Sequence, residues 1–368
     1  MSSRAVFLAA GEQSGDLHGA LLARELKLRF PDVRLYGLGG SLMAAEGVEL
    51  LADLDRLAVL GFAEVIRHLP DLAKLRRDVR RFLVEQEIDL LVPIDYPGFN
   101  LPLARYARRN GISVLYYIAP QVWAWHESRA RKLGEDADLV CVVLPFETER
   151  LEQWGVRTRF VGHPLLDGNP STPPVDHDVS SPRVGIFPGS RMQEVRRLLP
   201  TFLEAGRMLA ARLPGLELQV ARARDLPASA YVDLGEARLV DAEVAMRSAD
   251  AAITKSGTIT LQLALASVPM VVGYRVSPLT YAIARRLVRV DHIALVNLVA
   301  GSRVVPEFIQ GEATPSSIAD AVLPLLGQNT LERSRQITGL MDVCDRLGVP
   351  GAAGRVADEC ARLLAART

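Results

Sequence analysis

The 368-residue chain has little cysteine, no net charge and no long apolar run. Its three cysteines, Cys141, Cys344 and Cys360, form no CxxC pair and cannot all pair with one another. A disulfide framework or a Cys-based zinc site is therefore not expected, and a reducing cytoplasm is the expected compartment. Lys plus Arg number 43 and Asp plus Glu 43, so the formal charge is zero, which excludes a globally basic nucleic-acid binder. The N-terminal MSSRAVFLAAGE is too short in apolar residues for a secretion signal. The most apolar internal stretch, Leu261 to Tyr274, is broken by Gln262, Ser267 and Pro269. It also falls short of the ~18–20 residues a membrane span needs. There is no Walker A motif, no DxD pair at a strand tip, and no metal-ligand spacing among His18, His68, His126, His163, His177 and His292. Neither ATP hydrolysis nor a metal site is expected.

What is present is globular: 49% apolar and 23% charged residues, in a length that suits about two domains. Short apolar runs alternate with amphipathic segments. Strands are expected at Arg4–Ala10, Val33–Leu38, Leu90–Ile94, Val114–Ile118 and Leu139–Leu144, and helices at Leu17–Arg29, Leu101–Arg109 and Phe146–Trp154. The stretch Gly168–Arg183 holds four prolines and almost no large apolar residue, and so reads as a linker. Beyond it, strands are expected at Val184–Phe187, Leu216–Val220, Ala251–Ile253 and Met270–Gly273. Helices are expected at Thr201–Arg212, Ser316–Leu326, Leu331–Asp345 and Gly354–Ala366. The pattern predicts an α/β protein of two doubly wound, Rossmann-like domains facing across a cleft. Their bounds are 1–167 and 184–347, with residues 348–368 a helix crossing back to the first domain or to a partner subunit.

Ligands in such folds sit at the carboxyl ends of the strands, which selects five loops. AGEQSGD (10–16) brings Glu12 to a strand tip, with Ser14 and Asp16 placed to cap the next helix. IDYPGFN (94–100) brings Asp95, a candidate general base; a plain turn is the alternative. Asp89, at the other end of the same strand, lies about 20 Å away and is expected to be structural. APQVWAWHESRAR (119–131) carries Trp123 and Trp125, either a cleft wall or an aromatic plug. FPGSR (187–191) offers backbone N–H groups at Gly189 and Ser190 and the guanidinium of Arg191. TKSGTITLQL (254–263) sets Ser256, Gly257 and Thr258 at a helix start, where amides and dipole favour a phosphate. A diphosphate cradle in the second domain and carboxylates in the first fit transfer from a nucleotide-activated donor.

Together these stretches resemble the lipid-A-disaccharide synthase family. The resemblance also rests on LAVLGFAEVIRHLP (57–70), LPFE (144–147), FVGHPLLD (160–167), PMVVGYR (269–275) and LVNLVAGSRVVPEFIQ (295–310). It implies a B-type glycosyltransferase fold and an inverting, metal-independent transfer of 2,3-diacylglucosamine from its UDP derivative to 2,3-diacylglucosamine 1-phosphate. The products are a β-1,6-linked tetraacyl disaccharide 1-phosphate and UDP; the UDP-sugar is a substrate, and no cofactor is implied. Carried over by position, Glu12 and Asp95 line the acceptor side. Arg191, Ser256, Gly257, Thr258 and Asn297 line the UDP side, with Glu307 nearby. Two residues depart from the family pattern. Gly98 stands where many members have Asp, which throws the role of base onto Asp95 with Glu12 in reserve. Gln262 stands where Glu is common, and its amide is expected to keep a weakened ribose contact.

Acylated substrates imply a protein at the inner-membrane surface, peripheral and cytoplasmic. Leu60, Phe62, Val65, Ile66 and Leu69 are the apolar set expected to dip into the interface beside a basic stretch. Leu72, Leu75, Val79 and Phe82 are expected to pack on the sheet. A homodimer is compatible with the Gly- and Pro-rich joint at 348–354. A UDP-sugar epimerase-like enzyme and a catalytically silent nucleotide- or lipid-binding protein are the competing functions.

Overall fold

The computed structural model describes residues 4–53, 65–120, 127–168, 181–224, 226–277, 281 and 291–366. The chain forms two compact units, Met1–Gly168 with Gly348–Thr368, and Asn169–Leu347.

The first unit is built on seven strands: β1 (Ala5–Ala10), β2 (Arg34–Gly39), β3 (Glu49–Asp53), β4 (Leu90–Ile94), β5 (Ser113–Tyr117), β6 (Leu139–Val142) and β7 (Thr158–Phe160). They pair in the order β3-β2-β1-β4-β5-β6-β7, all parallel. The central strands are continuous apolar runs because both faces are covered; every residue of β1 and β4 is buried. Among the described residues, seven helices belong to the same stretch of chain: α1 (Gln13–Arg29), α2 (Ser41–Ala45), α3 (Val65–Glu85), α4 (Pro97–Arg109), α5 (Glu127–Asp136), α6 (Pro145–Glu152) and α7 (Leu165–Gly168). The order of strands reverses between β1 and β4, so the chain leaves their tips in opposite directions and opens a crevice there.

The second unit repeats this plan with β8 (Arg183–Phe187), β9 (Glu217–Arg222), β10 (Arg238–Asp241), β11 (Ala251–Thr254), β12 (Met270–Tyr274) and β13 (Glu307–Ile309), ordered β10-β9-β8-β11-β12-β13 and again parallel. Its switch point lies between β8 and β11. Its helices are α8 (Met192–Arg212), α9 (Ala242–Ser248), α10 (Ile259–Leu265), α11 (Leu295–Ala300), α12 (Pro315–Val322) and α13 (Leu331–Arg346). The last helix, α14 (Ala352–Ala365), belongs to the first unit and packs on α1. There Arg29 bonds Asp358 at 2.8 Å and the Gly354 carbonyl at 3.0 Å. Asp167 accepts from the Gly351, Ala352 and Ala353 amides and so caps the start of α14.

Several elements differ from the expectations. Helix α8 begins nine residues before Thr201 and runs through Pro200, and α4 begins at Pro97 with Pro102 inside it. A proline inside a helix leaves the carbonyl four residues before it without its usual donor, and for Pro102 that carbonyl, on Gly98, accepts from Arg76 instead. Strands β3, β7, β10 and β13 were absent from the pattern; each lies at or near a sheet edge and is short or half-exposed. Helix α3 runs unbroken through Pro70, so the basic segment is one element rather than two. Its later residues Leu72, Leu75 and Phe82 pack against the core, with Val79 fully buried. Leu60 and Phe62, the side chains of Val65, Ile66 and Leu69, Trp123 and Trp125, and residues 169–180 of the linker lie outside the described residues. Among the described residues, no helix is long and apolar enough to cross a membrane.

Candidate functional site

Each unit carries its candidate residues at its own switch point. In the first, Ala10 and Ile94 are paired at the tips of β1 and β4, and Glu12 and Asp95 follow within two residues. The tips are tied together by one buried side chain. Asn100 Nδ2 donates to the carbonyls of Ala9 (2.9 Å), Ile94 (3.3 Å) and Asp95 (2.8 Å). The Tyr116 hydroxyl donates to the Asp95 carbonyl at 2.8 Å, and the Asp95 amide donates to the Tyr117 carbonyl at 3.0 Å. These bonds hold Asp95 and Tyr96 in the left-handed region, both at φ 47°. Two consecutive non-glycine residues there store strain, which persists because the surroundings over-determine it. Gly11 is part of the same construction: a Cβ on it would lie 2.2 Å from the Tyr96 ring.

The result is a side chain presented outward from a rigid base. Asp95 is exposed, yet it stands close enough to the protein surface for desolvation to lead the causes that raise its carboxyl above the usual range. The neighbouring Glu12 charge adds to the effect, and a hydrogen bond from the Tyr96 backbone opposes it. Glu12 is also exposed. The Tyr96 hydroxyl is pushed up by burial and by Glu12, against Arg76. Arg76 lies over the Phe99 ring at 5.3 Å and donates to the Gly98 carbonyl at 3.2 Å.

Of two roles read from the sequence in this region, that of Asp16 is corrected and that of Asp89 holds. Asp16 does not cap α1: it is buried and accepts from the amides of Gly40 (2.7 Å), Leu42 (3.1 Å) and Met43 (3.0 Å), capping α2. Asp89 accepts from the Ala5 amide at 2.8 Å and joins the starts of two strands, a structural place.

In the second unit the Lys255 amide donates to the Phe187 carbonyl at 3.3 Å, bringing FPGSR beside KSGT. Ser190 and Arg191 are exposed, with Arg191 at the N-cap of α8. Two amides of the FPGSR turn are already engaged: Glu194 accepts from Ser190 (3.2 Å) and Arg191 (3.3 Å), and also from Lys255 Nζ (2.9 Å). Gly189 has φ 124°, and a Cβ there would lie 2.4 Å from the Glu194 carboxylate. Glu194 and Lys255 were missed in the sequence. Glu three residues after a helix N-cap is a capping signal, but nothing in a sequence pairs residues 61 apart.

Ser256 Oγ donates to the Ile293 carbonyl at 2.5 Å, Gly257 adopts φ 142°, and Thr258 is exposed at the start of α10. Gln262 is half-buried in the first turns of that helix. Asn297 and Glu307 point inward instead of lining a nucleotide surface. Asn297 is fully buried: its Oδ1 accepts from Val304 and Val305, and its Nδ2 donates to the Val305 carbonyl. Glu307 accepts from the amides of Ile293 and Ala294, the latter at 2.6 Å, with His292 Nδ1 at 3.8 Å. Both are charged or amide braces for the 292–305 stretch to which Ser256 is tied, because a buried polar side chain spends its bonding capacity on the backbone around it.

Residues 6–343 match the model of the lipid-A-disaccharide synthetase family. The chain belongs to this family. A curated relative from Geobacter sulfurreducens, named lipid-A-disaccharide synthase, is 42% identical over 371 residues, spanning 97% of this chain and 96% of its own. Family membership thus covers both switch points. Among solved structures, the glycotransferase of kitacinnamycin aligns at a TM-score of 0.67 with 18% identity, over 99% of this chain and 100% of its own. A UDP-GlcNAc 2-epimerase from Neisseria meningitidis, bound to UDP-GlcNAc, aligns at 0.61 with 11% identity, over 98% and 100%. At such identities the likeness is one of fold: two parallel-sheet α/β domains of the B-type glycosyltransferase kind, shared by transferases and epimerases alike.

Proposed function

We propose that this member of the lipid-A-disaccharide synthase family is an inverting, metal-independent glycosyltransferase. It transfers 2,3-diacylglucosamine from UDP-2,3-diacylglucosamine to 2,3-diacylglucosamine 1-phosphate. The observation that carries this, within the family, is Asp95: a carboxylate on a strained, braced strand tip, its pKa raised above the usual carboxylate value by desolvation and by the Glu12 charge. In this mechanism the acceptor 6-hydroxyl attacks the anomeric carbon and Asp95 takes the hydroxyl proton. The bond from anomeric carbon to phosphate oxygen breaks, and UDP leaves with that electron pair. Glu12, besides raising the Asp95 pKa, is the reserve carboxylate. Ser190, Arg191 and the Ser256–Thr258 turn are the donor side, where the Arg191 guanidinium and the N–H groups of the Ser256–Thr258 turn stabilise the developing diphosphate charge. The acyl chains place the reaction at an inner-membrane surface, with the protein peripheral to it.

The test is UDP release from UDP-2,3-diacylglucosamine in detergent and EDTA, with and without the 1-phosphate acceptor. Acceptor-dependent, EDTA-resistant release that disappears in Asp95→Ala supports the proposal. Conversion of the UDP-sugar without acceptor indicates an epimerase-like enzyme, and UDP binding with no release under either condition indicates a silent binding protein.

A further inference from the structure

The Glu194–Lys255 pair is not accounted for by the motifs above. Its side chains are largely shielded, 23% and 18% exposed, and it lies at the second unit's switch point, where the β8 and β11 loops meet. A carboxylate at a nucleotide-phosphate site is paradoxical, because it repels the ligand. Its three donors resolve the paradox: Glu194 fixes the Ser190 and Arg191 amides and one proton of the Lys255 ammonium. An ammonium has three N–H donors and no acceptor, and among the described residues Glu194 takes one of them. The ammonium also lies over the KSGT turn: a Cβ on Gly257 would be 3.4 Å from Nζ. Cationic Arg191 and Arg197 oppose the upward push of burial and Glu194 on the Tyr274 hydroxyl, which places all four groups in one neighbourhood.

We infer that Lys255 is a further diphosphate-binding residue of the donor site, and that Glu194 is the positioning residue that aims it. This rests on the donor-site assignment above. Lys255 adds an ammonium to the charge that a metal ion supplies in other diphosphate sites, and Glu194 fixes its position at the cost of one negative charge. The role is specific to the phosphates, since an ammonium has no reason to discriminate a nucleoside from water.

Calorimetric titration of the full-length protein with UDP and with uridine tests this. Lys255→Met keeps the apolar stem and removes the charge; it should raise the UDP Kd about tenfold or more while leaving the uridine Kd unchanged, as expected for loss of a charged hydrogen bond. Lys255→Arg should restore most of the UDP affinity. Glu194→Gln should weaken UDP in the wild-type background and less in the Lys255→Met background, because the part of its action that runs through the ammonium is then absent and only the part through the Ser190 and Arg191 amides is left. A wild-type UDP Kd in Lys255→Met, or an equal loss for UDP and uridine, overturns the role of Lys255. A wild-type protein that takes neither ligand overturns the donor-site assignment and this role with it. Should Lys255→Met fail to fold, Lys255→Gln, which keeps a donor for Glu194, is judged by the same comparison.

Discussion

Asp95 and Glu12 stand as two carboxylates on adjacent strand tips, and their environments give them different work. Desolvation by the surrounding protein is the larger cause of the raised Asp95 pKa and the Glu12 charge the smaller. Asp95→Asn removes the proton acceptor without disturbing the donor side; kcat should fall about 10²–10⁴-fold with UDP affinity unchanged, measured by release assay and calorimetry. Glu12→Gln removes only the second cause. A negative neighbour disfavours ionisation, so its loss lowers the Asp95 pKa. The acidic limb of the kcat/KM profile should therefore move to lower pH, without reaching the ordinary carboxylate value because the desolvation remains. A limb that stays in place, or moves up, would assign it to a different group.

At the scale of elements, the loop from β4 to α4 shows what each glycine is for. Gly11→Ala drives a methyl into the Tyr96 ring. It should cost roughly 1–3 kcal/mol of stability and a large part of the rate, read from thermal melts and turnover. Gly98 is the opposite case: nothing lies within 4 Å of a Cβ placed there, and its backbone is not in the left-handed region. Gly98→Asp should fold with a change within about 0.5 kcal/mol. In the Asp95→Asn background it should recover part of the lost rate, because it restores a carboxylate to the same loop; no recovery would mean that position 98 does not reach the acceptor. Such loops were legible in the sequence because each follows a continuous apolar run, LLVPI or RVGIF, whose type is unmistakable. The edge strand ELLAD was not, since most of its residues are only partly covered and it lacks that signature. Asn297 was legible as a motif residue but not as a brace: whether an amide faces a ligand or the backbone depends on residues 304–305, which only the fold brings against it. The Glu194–Lys255 pair escaped for the same reason.

For the whole molecule, the decisive feature is that the first unit is discontinuous in sequence. The chain completes it only after the second unit has been made, through α14, whose Cys360 is fully buried and whose start is capped by Asp167. The two units should therefore melt as separable transitions with different sensitivities. UDP binds the second unit in the proposed function and should raise that transition alone. Asp167→Ala removes the cap and should lower only the other, by about 1 kcal/mol of stability. Acid should also act on the first unit. Burial lowers the pKa of both His18 and His163 from 6.5 to about 4; the charge of His18 lowers His163 further, and Asp167 opposes in each case. Both are neutral in the folded state, whereas the unfolded chain protonates them near 6.5. Their stabilising effect is complete above pH 6.5 and is lost as pH falls from there through about 4, to the extent of roughly 3 kcal/mol for each. His18→Gln should flatten the decline of the first unit's melting temperature between pH 7 and 4 and leave the UDP-sensitive transition as it was. An equal acid response of the wild-type and His18→Gln proteins would show that His18 charges freely in the folded state.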